Sequence, residues 1–276
     1  MQFKFRASED RGSADHGWLK TFHTFSFASW YNPEYENFGA LRVINEDRVA
    51  PRTGFPTHPH REFEIFSYII SGELSHKDSM GNVETMKRGD IQMTSGGTGI
   101  AHSEYNDNPS KPVHFLQIWA LPNQKGLKPG YFTRHFKDEE KQDKLAHIVA
   151  PIGYPGAEEV RECSGLTPVH APLHFFSTLL SPNKSVQHKL LPSLNGKSTK
   201  LVYIQVVQSS GFNTKSSSKD GSKTSLIKIT GQNNEVTKLG EGDGVFITKG
   251  KIGDELTIEN LGKDVGEVVL FEMDDE

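Results

Sequence analysis

Apolar residues in this chain fall in short runs rich in Val, Ile, Phe, Tyr and Thr, cut every few positions by glycine, proline or polar turn formers. Runs of this length and composition, bounded in this way, predict strands. The pattern places them near residues 40–44, 63–70, 90–94, 113–121, 201–207, 225–230, 244–248 and 268–273. Such spacing by turns points to sandwich or barrel architecture and away from alternating β/α units. Only residues 137–147 read as helical, charged with a single apolar stripe. Pro151, Gly153, Pro155 and Gly156 follow. The expected organisation is therefore a first domain over 1–136, a connector with a short helix over 137–156, and a second domain over 157–276.

The two halves carry a faint internal repeat. In the first, Tyr68-Ile69-Ile70-Ser71-Gly72 is followed, after a variable loop, by Lys87-Arg88-Gly89-Asp90-Ile91. In the second, Ile204-Gln205-Val206-Val207 runs to Ser210-Gly211, and Leu239-Gly240-Glu241-Gly242-Asp243-Gly244 supplies the matching corner. A glycine relieves the backbone at such a corner and the aspartate caps the turn. A duplicated β-barrel is the economical reading. The stretch 213–225, almost entirely Ser, Lys, Thr, Gly and Asp, cannot bury a face and is expected to be a mobile loop.

Composition narrows the function. A length of 276 residues suits one large domain or two moderate ones, with ample core and no need of staples. The formal charge is −4, from 31 basic and 35 acidic residues without blocks of either sign. That balance argues against direct nucleic-acid binding. No apolar run reaches the roughly 18 residues that a membrane span requires, and residues 1–18 carry charges where a signal peptide would be apolar. A single cysteine, Cys163, cannot form an internal disulfide and fits a reducing compartment. The expectation is a soluble intracellular protein.

The densest chemical signal is Gly54-Phe55-Pro56-Thr57-His58-Pro59-His60-Arg61-Glu62-Phe63-Glu64. On an extended segment, histidines at i and i+2 point to the same side of the pleat, and Pro59 enforces that extension. Downstream, Gly96-Gly97-Thr98-Gly99 allows a sharp reversal before Ile100-Ala101-His102-Ser103-Glu104-Tyr105-Asn106, where a His and a Glu again stand at i and i+2. Three imidazoles and one carboxylate form an N₃O donor set for a borderline divalent metal with open coordination positions. By parity, Glu64 shares a face with His58 and His60, just as Glu104 does with His102.

These motifs resemble those of the cupin superfamily: Gly54, His58, His60, Glu64 and Gly72 for the first, and Gly89, Gly97, His102 and Asn106 for the second. More narrowly, the chain resembles a pirin. The likeness lies in Gly17-Trp18-Leu19, Phe22-His23-Thr24-Phe25-Ser26-Phe27, the His58-Pro59-His60-Arg61 run, Gly72-Glu73-Leu74-Ser75-His76-Lys77-Asp78-Ser79 and Gly99-Ile100-Ala101-His102-Ser103-Glu104. It is dense over roughly residues 12–125 and thinner beyond. The resemblance implies an all-β fold of two cupin-type barrels (double-stranded β-helix or jelly-roll) in tandem. In many cupins the glutamate of the first motif is the fourth ligand, here Glu64; in pirins the carboxylate two residues after the last histidine takes that place. The resemblance therefore favours His58, His60, His102 and Glu104 as ligands, with Glu64 behind them to fix a histidine tautomer.

The resemblance also implies one divalent metal ion, Fe(II) first, although the donors accept Zn, Ni, Cu, Mn or Co. It implies ring-opening dioxygenation of a flavonol such as quercetin by O₂, with Glu104 or solvent taking the enolic proton. Phe55, Phe63, Phe66, Met93 and Phe115 are candidates to line the cavity or simply to fill the barrel. A second reading implied by the family is a metal- or redox-dependent nuclear co-regulator that binds a transcription-regulator protein without turnover. Localisation is accordingly expected to be cytoplasmic, nuclear or both.

The second half departs from the motif. Where the His-x-His pair would fall there is only His188, and after Gly242-Asp243 come Lys249, Lys251 and Glu255. It is expected to be a degenerate barrel without a metal, with His188 at the surface or hydrogen-bonded. His16 and His23 are expected to pack against the barrel mouth, while His76, His114 and Cys163 receive no role.

Overall fold

The computed structural model describes residues 1–194, 196–214 and 225–275. It divides into two compact units, each combining a long antiparallel sheet with a four-stranded one. The strands lie where the short apolar runs place them, with some lengthened and others trimmed or shifted at their ends. Residues 40–44 become part of Leu41–Val49, and residues 244–248 part of Gly244–Lys251. Most of the expected loop at 213–225 lies outside the described residues.

In the first unit the long sheet runs in the order Gly130–His135, Asp90–Ser95, Glu64–Ser71, Val113–Ala120, Leu41–Val49, Leu19–His23, Gly12–Asp15. The four-stranded sheet runs Thr53–His60, Ile100–Asn106, Glu73–Asp78, Val83–Lys87. Between the inward faces sit Leu19, Val49, Ile69, Leu74, Met86, Val113 and Phe115. Each such side chain contributes about 1.5–3 kcal/mol by leaving water.

The second unit repeats the plan. Its four-stranded sheet runs Ser185–Lys189, Glu255–Asn260, Ile227–Thr230, Val236–Leu239, and its long sheet includes Gly244–Lys251, Thr199–Val206, Gly266–Asp274 and Leu173–Leu180 in that order. The duplication extends to single hydrogen bonds. Asn106 Nδ2 donates to the carbonyls of Val49 and Lys111, and Asn260 Nδ2 donates to those of Leu180 and Asp264. The corners match too: Asp90 accepts from the Lys87 backbone and Asp243 from that of Gly240.

The domain limits expected from the sequence require correction. Residues 1–11 belong to the second unit, because Gln2–Arg6 pairs antiparallel with the strand Gly244–Lys251, Gln2 opposite Thr248. Residues 150–171 return to the first unit. There Thr133 bridges Glu162, and the Arg134 guanidinium donates to the carbonyls of Glu158, Val160 and Arg161. The expected helix at 137–147 shrinks to one turn, Asp138–Lys141. Glu140 caps that turn by accepting from the Lys137 N–H at 2.7 Å. Beyond it, Ala146–Pro151 is claimed by pairing with Leu173–Leu180, and tertiary pairing overrides a weak helical pattern.

Candidate metal centre

The strand Ile100–Asn106 alternates strictly between inward and outward residues, so Ile100, His102, Glu104 and Asn106 all face the interior. Its neighbour Thr53–His60 brings His58 opposite His102 and His60 opposite Ile100. The register then slips by a bulge, setting Glu104 opposite Phe55. Gly54 makes this pairing feasible, since a Cβ there would overlap the Glu104 carbonyl and the Tyr105 backbone.

The outcome is a triangle of imidazoles. The ring centroids of His58, His60 and His102 are each 4.7 Å from the other two, with interplanar angles of 64°, 81° and 89°. One ring nitrogen from each lies within 4.8 Å of the others. His58 Nδ1 donates to the Pro56 carbonyl at 2.8 Å, which leaves its Nε2 with a lone pair. That Nε2 is 3.2 Å from His102 Nε2, about the span of two nitrogens sharing one ion at roughly 2.1 Å each. His60 Nε2 and His102 Nδ1 are buried without a hydrogen-bond partner among the described residues. These donors fit a divalent metal.

Burial pushes the His60 imidazole down to about 4, and the nearby His102 and His58 add to the shift. Burial likewise lowers His102. Both rings are therefore neutral at physiological pH, the form that ligates metals. Burial also pushes the Asp47 carboxyl up to about 7, with the charges of Glu104 and Glu46 adding to the rise.

Glu104 stands one step behind the triangle. One of its carboxylate oxygens groups with nitrogens of His102 and His76, not with those of His58 and His60. Ser67 Oγ donates to Oε1 and Gln117 Nε2 to Oε2, each at 2.8 Å, so the carboxylate is fixed on both sides. Ser67 and Gln117 were not singled out by the sequence motifs, and His76, although inside one of them, was given no role. Ser67 and Gln117 betray themselves as lone polar positions within apolar runs. His76, 5.1 Å from His102 between ring centroids, sits two residues before Asp78, whose Oδ2 its Nε2 meets at 3.2 Å.

Glu64 does not take the place expected of it. The strand ends at His60, the chain turns through Glu62 at φ 57°, and Glu64 begins a strand of the other sheet. Parity with His58 and His60 is lost at that turn. The Glu64 carboxylate accepts from Ser95 Oγ at 2.6 Å and from the His170 N–H at 3.0 Å. Among the proposed lining residues, Phe66, Met93 and Phe115 are core, Phe55 packs edge-on against Trp18, and Phe63 meets Trp119. Trp119 in turn stands against His60, 4.9 Å between centroids. His23 is buried on Asn45 and Phe27, and His114 meets Glu46 at 3.1 Å.

In the second unit His188 is buried and hydrogen-bonded, Nε2 to Glu272 Oε2 at 2.7 Å, so the surface alternative fails. Among the described residues, the three-ligand clusters are His58/His60/His102 and His76/His102/Glu104, both in the first unit.

Two repeated all-β units, one carrying a histidine triangle on paired strands, define a cupin protein with a duplicated barrel. Within that class the chain belongs to the pirin family, whose sequence profile matches residues 4–120. It is 43% identical over 157 residues to a quercetin 2,3-dioxygenase of Escherichia coli K12, spanning 57% of this chain and 67% of the relative. A Zymomonas mobilis relative is 41% identical over 185 residues, 67% of this chain and 75% of its own length. Among solved structures, YhhW from Escherichia coli superposes with a TM-score of 0.79 at 31% identity, covering 100% of this chain and 99% of that one. A second structure, bacterial pirin YhhW in complex with nickel(II), gives a TM-score of 0.77 over 100% of both chains. No helix among the described residues is long and apolar enough to cross a membrane.

Proposed function

We propose that this protein is a mononuclear metal-dependent dioxygenase that opens the ring of a flavonol of the quercetin type, with O₂ as co-substrate. The convergence of three imidazoles at 4.7 Å spacings carries the reading, together with the activity named for the Escherichia coli relative. His58, His60, His102 and Glu104 would hold the ion, with Fe(II) the metal implied by family and nickel(II) the ion found in a pirin structure. A bound divalent ion would supply Lewis acidity that lowers the pKa of an enolic hydroxyl.

The chain's own residues do the rest. Pro56 sets the His58 tautomer, and Ser67 and Gln117 hold Glu104 in one rotamer. Each Glu104 oxygen retains a further lone pair, so the carboxylate can accept the enolic proton. The half-buried rings of Trp119 and Phe63 beside the triangle limit the access of water to an electron-rich substrate.

The test is oxygen uptake with quercetin by protein stripped of metal and reloaded separately with Fe(II), Ni(II), Mn(II), Co(II), Cu(II) or Zn(II). Turnover with one or more of these ions, and none in the stripped protein, is the expected result. Absence of turnover across several flavonols by fully loaded samples would overturn the reading.

A further inference from the structure

Trp119 has two sides. One stands against His60; the other forms a wall of a separate cavity of about 340 Å³ in the same unit, lined also by Phe27, Trp30, Tyr31, Phe63 and Arg42. Its size lies within the range of small-molecule sites. Five of the nine lining residues are aromatic, which favours a flat ring system able to stack or meet ring edges.

The polar groups of this cavity point to the charge of its occupant. Arg42 Nη1 donates to the Ser26 carbonyl at 2.8 Å, and among the described residues no carboxylate pairs with the guanidinium. A half-buried guanidinium without a counter-charge is costly unless an anion completes it. The indole N–H of Trp119 is also buried without an acceptor among the described residues. A guanidinium without a paired carboxylate and an indole N–H without an acceptor thus both come from residues that line this one cavity.

The walls are preformed. Phe27 and Trp30 exchange backbone hydrogen bonds at 3.0 Å across a tight turn with Ala28 at φ 51°. Ser26 Oγ donates to the Asn32 carbonyl and accepts from the Asn32 N–H. A loop tied down in this way loses little further entropy on binding.

We propose that this cavity binds a planar aromatic anion, a flat ring system whose carboxylate or phenolate is recognised by Arg42. None of the three triangle histidines lines this cavity, although Trp119 neighbours both, and the proposal does not depend on the dioxygenase reading.

The test uses the full chain, with and without metal, and two probes: flavone-4′-carboxylate and unsubstituted flavone. Neither carries the 3-hydroxyl needed for turnover, so failure of the proposed activity leaves the experiment intact. Two of the three tryptophans line the cavity, so binding is read by tryptophan quenching and checked by calorimetry. The carboxylate should bind about tenfold tighter than flavone. Arg42→Gln should erase that difference while leaving flavone affinity within about twofold, and Arg42→Lys should keep part of it. Equal affinity for the two probes in the parent chain, or discrimination that survives Arg42→Gln, would overturn the proposal. If Arg42→Gln does not fold, salt decides: the preference should shrink as ionic strength rises, and a preference indifferent to salt would also overturn it.

Discussion

His188 stands opposite Leu256 in the second unit as His58 stands opposite His102 in the first. One histidine of the triangle thus has a counterpart in the repeat, whereas the positions answering to His102 and Glu104 are Leu256 and Ile258, both buried in an aliphatic core. Around His188 the chain supplies its own cation. Lys200 Nζ is 3.3 Å from Glu272 Oε1 and 2.7 Å from Asp274 Oδ1, and Glu272 also accepts from His188 and from the Leu191 N–H. An ammonium on a tether is shared between these two carboxylates.

Lys200→Met should therefore unfold the second unit readily, because Glu272 and Asp274 would be left buried without their cation. The expected loss is about 3–5 kcal/mol in urea unfolding. A change of less than about 1 kcal/mol would show that the carboxylates find other partners.

Replacing His58 by Ala should abolish metal content, read by elemental analysis of protein reloaded and desalted. Unchanged content would mean the centre is misplaced. Glu104→Gln should weaken retention of the ion, while Glu64→Gln should leave it intact and instead destabilise the fold, since Glu64 anchors Ser95 and the His170 backbone. The opposite ranking would restore Glu64 as the ligand.

Asn106→Ala and Asn260→Ala should be twins. Each removes a buried amide that closes two carbonyls, at a cost of about 2 kcal/mol. Markedly unequal losses in chemical denaturation would count against the equivalence of the two units.

Acid should destabilise the metal-free protein from about pH 6.5 downward. Burial holds His147 at about 4 and His174 at about 3, with repulsion from His147, whose Nε2 is 3.1 Å from His174 Nδ1, deepening the shift for His174. Both values lie below the ordinary imidazole range, so on acidification the unfolded chain takes up protons before the folded one does. Stability is then fully present above pH 6.5 and lost as pH falls toward 4. Thermal midpoints across pH 4.5–7.5 test this, and His174→Phe should flatten the slope. A flat profile in the parent chain would refute the assignment.

The histidine triangle was legible because its logic is local: two residues on one pleat face and a proline between them. Glu64 was misread for the same reason, since parity counts residues and cannot register that the chain leaves the strand at Glu62. Ser67 and Gln117 were hidden because their meaning lies in a carboxylate 37 and 13 residues away. The barrels were legible from turn spacing and corner residues, but the ownership of residues 1–11 was not. Nothing near Gln2–Arg6 announces a partner strand in the last part of the chain.

That partnership has a consequence for how the molecule is made. The strand Gln2–Arg6 leaves the ribosome long before Gly244–Lys251 exists to receive it. It must wait, extended and unpaired, while the first unit assembles from the sequence that follows. Neither unit is a contiguous stretch of polypeptide, so cutting the gene between them would yield one fragment missing an edge strand and another carrying a stray one. Expressing 12–171 in place of 1–136 would return residues 150–171 to the first unit, but at the cost of carrying 137–149 of the second.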